Sequence, residues 1–161
     1  MPKLSAGILL VRIVDRRPKF LLAHPGGPFW QRKDLGAWSI PKGEYTTDED
    51  SLAAARREFE EELGTPCPPD PLIPLGSIRQ AGGKVVTAWC AVGDLDVGSI
   101  VSNTFEMEWP PRSGRIETFP EIDRAGFFEP AEAASKIVAA QVVLLERADA
   151  ALRESGQIDA N

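Results

Sequence analysis

Residues Gly43 to Thr65 read GEYTTDEDSLAAARREFEEELGT. Within it Leu52, Ala55, Phe59 and Leu63 recur at helical spacing and predict a face turned to a core. Thr46 and Glu49 stand as a Ser/Thr-x-x-Glu capping box ahead of the periodic run. Gly64 takes the position of a C′ glycine, and Pro66 follows shortly after. The spacing predicts a helix over about Asp50–Leu63.

The same stretch crowds together Asp48, Glu49, Asp50, Glu58, Glu60, Glu61 and Glu62, offset only by Arg56 and Arg57. Three of the acids fall at the C-terminal end of the helix, where the macrodipole is already negative. Each should cost roughly 0.3–1 kcal/mol there. A segment that breaks a local rule without structural gain marks a functional site. Glu58, Glu61 and Glu62 are related as i, i+3 and i+4 and project from one side. Carboxylate oxygens with no Cys or His among them suit a hard cation, Mg²⁺ or Mn²⁺ rather than zinc.

With Gly43 as origin, the run fits G-x5-E-x7-R-E-U-x-E-E-x-G-U, where U is bulky and apolar. Gly43, Glu49, Arg57, Glu58, Phe59, Glu61, Glu62 and Gly64 fall in place, and Thr65 departs at the last position. The pattern resembles the Nudix box of the Nudix (MutT-type) hydrolases. That resemblance implies an α/β/α sandwich with a mixed β-sheet between helices. It also implies Mg²⁺-dependent cleavage of a pyrophosphate bond in a nucleoside diphosphate linked to another group. It makes Glu58, Glu61, Glu62 and the Gly43 carbonyl the metal ligands, with Glu58 alternatively the general base. Arg57 would orient a neighbouring carboxylate, and Glu49 would hold that arginine. A further carboxylate from a later loop is common in the family. Glu121, in PEIDRA, is the first candidate and Glu117 the second.

The lead-in Trp38-Ser39-Ile40-Pro41-Lys42-Gly43 carries a PKG that resembles Nudix enzymes acting on long polyphosphates. Lys42 would add a point charge for an extra phosphate. The resemblance therefore favours a dinucleoside polyphosphate such as diadenosine tetra- to hexaphosphate. The alternatives are a pyrophosphohydrolase removing oxidised dNTPs and a nucleotide-sensing domain without turnover. The Gly/Pro-punctuated loop before it offers Trp30 as a base-stacking aromatic, and Arg32 and Lys33 as phosphate contacts. His24, the sole histidine, reads as a strand-end residue. Gly82-Gly83-Lys84 lacks the spacing of a P-loop and reads as a hairpin turn.

At 161 residues the chain is expected to form one domain, over 1–154, with a frayed tail at 155–161. Apolar content of 43% and charged content of 26% are those of a soluble globular protein. A net charge of −6 argues against a duplex nucleic-acid partner, which needs a basic face. A small anionic nucleotide remains compatible, because local cations and a metal invert the field. No run of about 18 apolar residues predicts a membrane span. Two cysteines, Cys67 and Cys90, read as reduced thiols of a cytoplasmic protein.

Outside the helix, strands are expected at 4–14, 19–23, 37–40, 75–79, 84–92, 104–109 and 124–128. Loops are expected at 24–35 and 110–119, and a helical region from Pro130 onward. Strands, a helix, strands and a closing helix make a mixed α/β chain.

Overall fold

Leu4–Val14 (β1) is the strand on which the rest assembles, and the computed structural model describes residues 2–159. Ala6, Ile8 and Leu10 of β1 enter one buried cluster, and Leu9 and Val11 another. Both faces are covered, so β1 reads as an almost unbroken apolar run rather than an alternating one.

Arg17–Pro25 (β2) folds back antiparallel on the end of β1, and Lys42–Tyr45 (β3) pairs antiparallel with its beginning. After the helix Ser51–Leu63 (α1) come Ile73–Arg79 (β4) and Val85–Val92 (β5). β5 runs parallel to β1, which makes the sheet mixed. Thr104–Glu108 (β6) and Ile116–Pro120 (β7) form a separate two-stranded hairpin, and Ile122–Phe128 (β8) completes the main sheet beside β2. The order is β4-β5-β1-β2-β8, with β3 also on β1. Pro130–Lys136 (α2) and Val142–Glu154 (α3) close the chain.

Helix α1 covers one face through Ala54, Ala55, Phe59 and Leu63. Helix α3 covers the other through Leu144, Leu145, Ala148 and Leu152. The result is the α/β/α sandwich with a mixed sheet. No helix among the described residues is long and apolar enough to cross a membrane.

Several local expectations change. The helix begins one residue later than expected, capped by Asp50, whose carboxylate accepts from the Ala53 amide at 3.0 Å. The Thr46/Glu49 capping box does not form, because both Glu49 oxygens are engaged by Arg57. Gly64 does terminate the helix at φ +76°, a conformation that favours glycine. Leu52 is only half-buried, and Ala54 takes the core position instead.

Residues 37–40 make no full strand. Ser39 exchanges two backbone bonds with Ala23, but Trp38 turns to the other side and pairs with Ile137. The strand lies inside the box, as β3. Residues 116–119, expected within a loop, belong to strand β7; they are largely exposed and lack an apolar face to betray them. The tail from Ser155 does not fray over 155–159. Ile158 is 2% exposed in the α3-side core, and the Asp159 amide donates to the Arg16 carbonyl at 2.9 Å.

Phe59 is fully buried where α1 meets β1. Phe59→Ala should lower the unfolding free energy by about 3–5 kcal/mol in urea titration. A loss below about 1 kcal/mol would mean that α1 is not anchored through this ring.

Candidate functional site

The box places its acids by two separate devices. The first is local to α1. Arg57 grips Glu49 with a two-pronged fork, Nε and Nη2 each donating at 3.0 Å to a separate oxygen. Its Nη1 donates to Glu58 at 2.8 Å and reaches Glu61 at 3.3 Å. These hydrogen bonds, led by those to Glu49, raise the Arg57 pKa further. One guanidinium thus aligns three carboxylates and ties the loop before the helix to it.

The second device is the approach of β3 to α1. A side chain at residue 43 would overlap the Glu58 carboxylate, so only glycine allows this contact. The strand register then sets Gly43 opposite Ala6 and Lys42 opposite Gly7.

A third element arrives from the far end of the chain. The last turn of α1 leaves carbonyls without helical partners. The Val101 amide donates to Leu63 and the Asn103 amide to Glu61. Asn103 in turn accepts from the Glu121 amide, and the Glu121 carbonyl accepts from Gly26. Glu121 is thereby fixed beside the helix end.

Together these elements enclose a cleft of about 370 Å³ lined by Gly43, Glu58, Glu61, Glu62 and Glu121, and by Lys42, Lys84, Glu44, Asn103 and Ser5. Glu62 is pushed up to about 8 by burial, with Glu58 adding repulsion and Lys42 opposing. Glu58 is raised as well, chiefly by burial, although Arg57 pulls the other way. Burial lowers Lys42, and Lys84 nearby lowers it further.

No three His, Cys, Asp or Glu side chains among the described residues already converge as a coordination sphere. The fit to a cation rests on the donor chemistry: oxygen only, anionic, half-buried and short of compensating charge. Glu58, Glu61, Glu62 and the Gly43 carbonyl could hold a hard divalent ion, with Glu121 at the rim.

Other sequence candidates lie elsewhere. Trp30, Arg32 and Lys33 do not line the cleft, and all three are exposed. The Lys33 ammonium sits 4.9 Å over the Trp30 ring, and Phe29 packs edge-on against Trp109. His24 is wholly buried; Nε2 donates to the Lys33 carbonyl at 2.6 Å and Nδ1 lies 2.8 Å from Asp123. It anchors the loop rather than facing the cleft. Glu117 is in β7 and also outside the cleft. Sequence reading did not assign Ser5, Glu44, Lys84 or Asn103 to the site, because the first three arrive only through the pairing of β3 and β5 with β1, and Asn103 only through its backbone bond to Glu61.

The NUDIX domain model matches residues 1–148, and the chain belongs to the Nudix hydrolase family. The fold agrees with solved structures of low identity. An Ap4A hydrolase from C. elegans, in a binary complex, aligns with a TM-score of 0.64 and 22% identity, over 93% of this chain and 98% of that one. A mutT/nudix family protein from Listeria innocua gives 0.64 and 21%, over 97% and 98%. The NUDIX domain of Shewanella oneidensis NrtR, complexed with ADP ribose, gives 0.62 and 18%, over 94% and 89%. No curated protein matches the chain.

The raised Glu62 has a consequence for stability. Between the ordinary 4.5 and about 8, the folded chain keeps a proton that the unfolded chain has released. Stability of the metal-free protein therefore falls as pH rises through that window and levels off above it. Glu62→Gln should flatten the fall, so that thermal midpoints in chelator diverge from wild type most at pH 8 and above. Parallel profiles for the two proteins would contradict this environment for Glu62.

Proposed function

We propose that the protein is a divalent-metal-dependent pyrophosphohydrolase whose preferred substrate is a dinucleoside polyphosphate, such as diadenosine tetra- to hexaphosphate. The observation that carries the proposal is one cleft with the box carboxylates and Glu121 on its wall and Lys42 and Lys84 beside them. A polyphosphate is densely anionic and needs both kinds of group: acids to retain a metal and lysines to meet phosphates the metal does not reach.

In this reading Glu58, Glu61, Glu62 and the Gly43 carbonyl hold Mg²⁺, with Mn²⁺ as a substitute. The ion supplies charge neutralisation at phosphorus and a more acidic water. Water attacks one phosphorus, its proton passes to a carboxylate, and a shorter nucleotide leaves as the P–O–P bond breaks. Glu121, free of Arg57, or Glu58 takes that proton. Arg57 and Glu49 keep Glu58 and Glu61 in line. Lys42 binds a phosphate beyond the metal. Trp30, Arg32 and Lys33 reach the nucleotide only if their loop bends toward the cleft. The fold likeness to an Ap4A hydrolase supports the substrate class, and the free Cys67 and Cys90 support a cytoplasmic setting.

With Mg²⁺, diadenosine polyphosphates should yield ATP and a shorter nucleotide, and chelation should stop turnover. Glu61→Gln should lower kcat at least about 100-fold with the melting curve retained. Monophosphate and pyrophosphate released selectively from an oxidised dNTP would favour a sanitising enzyme instead. Tight nucleotide binding without turnover of any substrate would favour a sensing domain.

A further inference from the structure

Strand β3 sets Ser5 opposite Glu44 and Gly7 opposite Lys42. Directly paired residues and alternate residues along a strand share one face. Ser5, Lys42 and Glu44 therefore lie together, and Gly7 leaves the position among them without a side chain. This is the face of Leu9 and Val11, opposite to that of Ala6, Ile8 and Leu10 beneath α1. Lys84 joins from the residue before β5, its ammonium 4.0 Å from Glu44.

Two polar groups of this corner have no direct side-chain partner among the described residues. Ser5 is 1% exposed, and its Oγ is the buried side-chain atom without a hydrogen-bond partner among the described residues. Ser5 is one of the residues lining the cleft. Lys42 has no ion-pair partner among the described residues. The single carboxylate of Glu44 already faces Lys3 and Lys84. A buried hydroxyl donor with two ammonium groups beside it is the recognition chemistry of an oxyanion.

We propose that Ser5, Lys42 and Lys84 form a phosphate subsite that binds one non-reacting phosphate of the polyphosphate chain, apart from the metal carboxylates. The inference rests on the cleft being a polyphosphate site and deepens it. The Ser5 hydroxyl donates to a phosphate oxygen, and both ammonium groups donate to the same phosphate. Chains long enough to span from the box carboxylates to Ser5 are favoured over shorter ones. Ser5 binds substrate and takes no part in bond cleavage.

The test is Ser5→Ala, with Lys84→Gln as a second variant on a more accessible side chain. Binding of inorganic tripolyphosphate with Mg²⁺ is read by calorimetry, and KM and kcat are read on diadenosine tetraphosphate. Ser5→Ala should weaken tripolyphosphate roughly ten-fold and raise KM to match, with kcat unchanged. Its free-protein melting midpoint should stay level or rise, because no hydrogen bond is lost. Lys84→Gln should weaken the same two readouts. Unchanged affinity and KM in Ser5→Ala, with or without a drop in melting point, would overturn the subsite. If wild type hydrolyses the tetraphosphate and Ser5→Ala matches it, the subsite fails while the hydrolase reading stands. If wild type turns nothing over but binds tripolyphosphate through Ser5, the subsite stands and the hydrolase reading fails.

Discussion

A glycine at 43 lets an acidic helix lie against a strand, and the site depends on that contact. Any Cβ there would overlap the Glu58 carboxylate. Across the contact, Glu58 and Glu62 are half-buried, where ionised carboxylates are costly unless compensated. The compensation within the chain is incomplete. Arg57 covers Glu49, Glu58 and Glu61, while Glu62 is met by Lys42, through its ammonium charge and its backbone. The fold thus holds negative charge that a divalent cation would neutralise, and it spends little conformational freedom doing so, because Phe59 and Leu63 anchor the same helix in the core.

The box was legible because its constraints are local. Helix period, the Gly64 stop and the i, i+3, i+4 acids all fall within one run of sequence, and the structure keeps them. The start was misread for an electrostatic reason. Glu49 serves a guanidinium two turns away instead of the helix cap, and Asp50 caps in its place. Glu121 was legible only through family resemblance; what brings it to the cleft is a relay of backbone bonds through Asn103. Ser5, Glu44 and Lys84 carry no local signal at all. Their proximity is a product of strand register, which pairs β1 with β3 and β5. Trp30, Arg32 and Lys33 looked functional by composition, yet their loop is tied down by His24 and by packing of Phe29 on Trp109.

The cleft is consequently two-sided. The box carboxylates Glu58, Glu61 and Glu62 come from the α1 side of the β1/β3 ribbon, and Lys42 and Lys84, with Ser5 and Glu44, from the other. In the proposed reading, such a division would separate the groups that activate phosphorus from those that hold the rest of a polyphosphate. It also gives a physical reason for a lysine before Gly43: alternation along β3 points Lys42 away from the face on which Gly43 meets Glu58.

The most direct test of the central claim is a manganese titration followed by electron paramagnetic resonance. Wild type would be compared with Glu62→Gln and with Glu60→Gln. Glu60 is exposed on the same helix and outside the cleft, so its variant removes an equal charge without touching the site. The account predicts saturable binding that is at least about ten-fold weaker in Glu62→Gln and unchanged in Glu60→Gln. Equal affinities in all three proteins would contradict a metal centre built on the acidic face of α1.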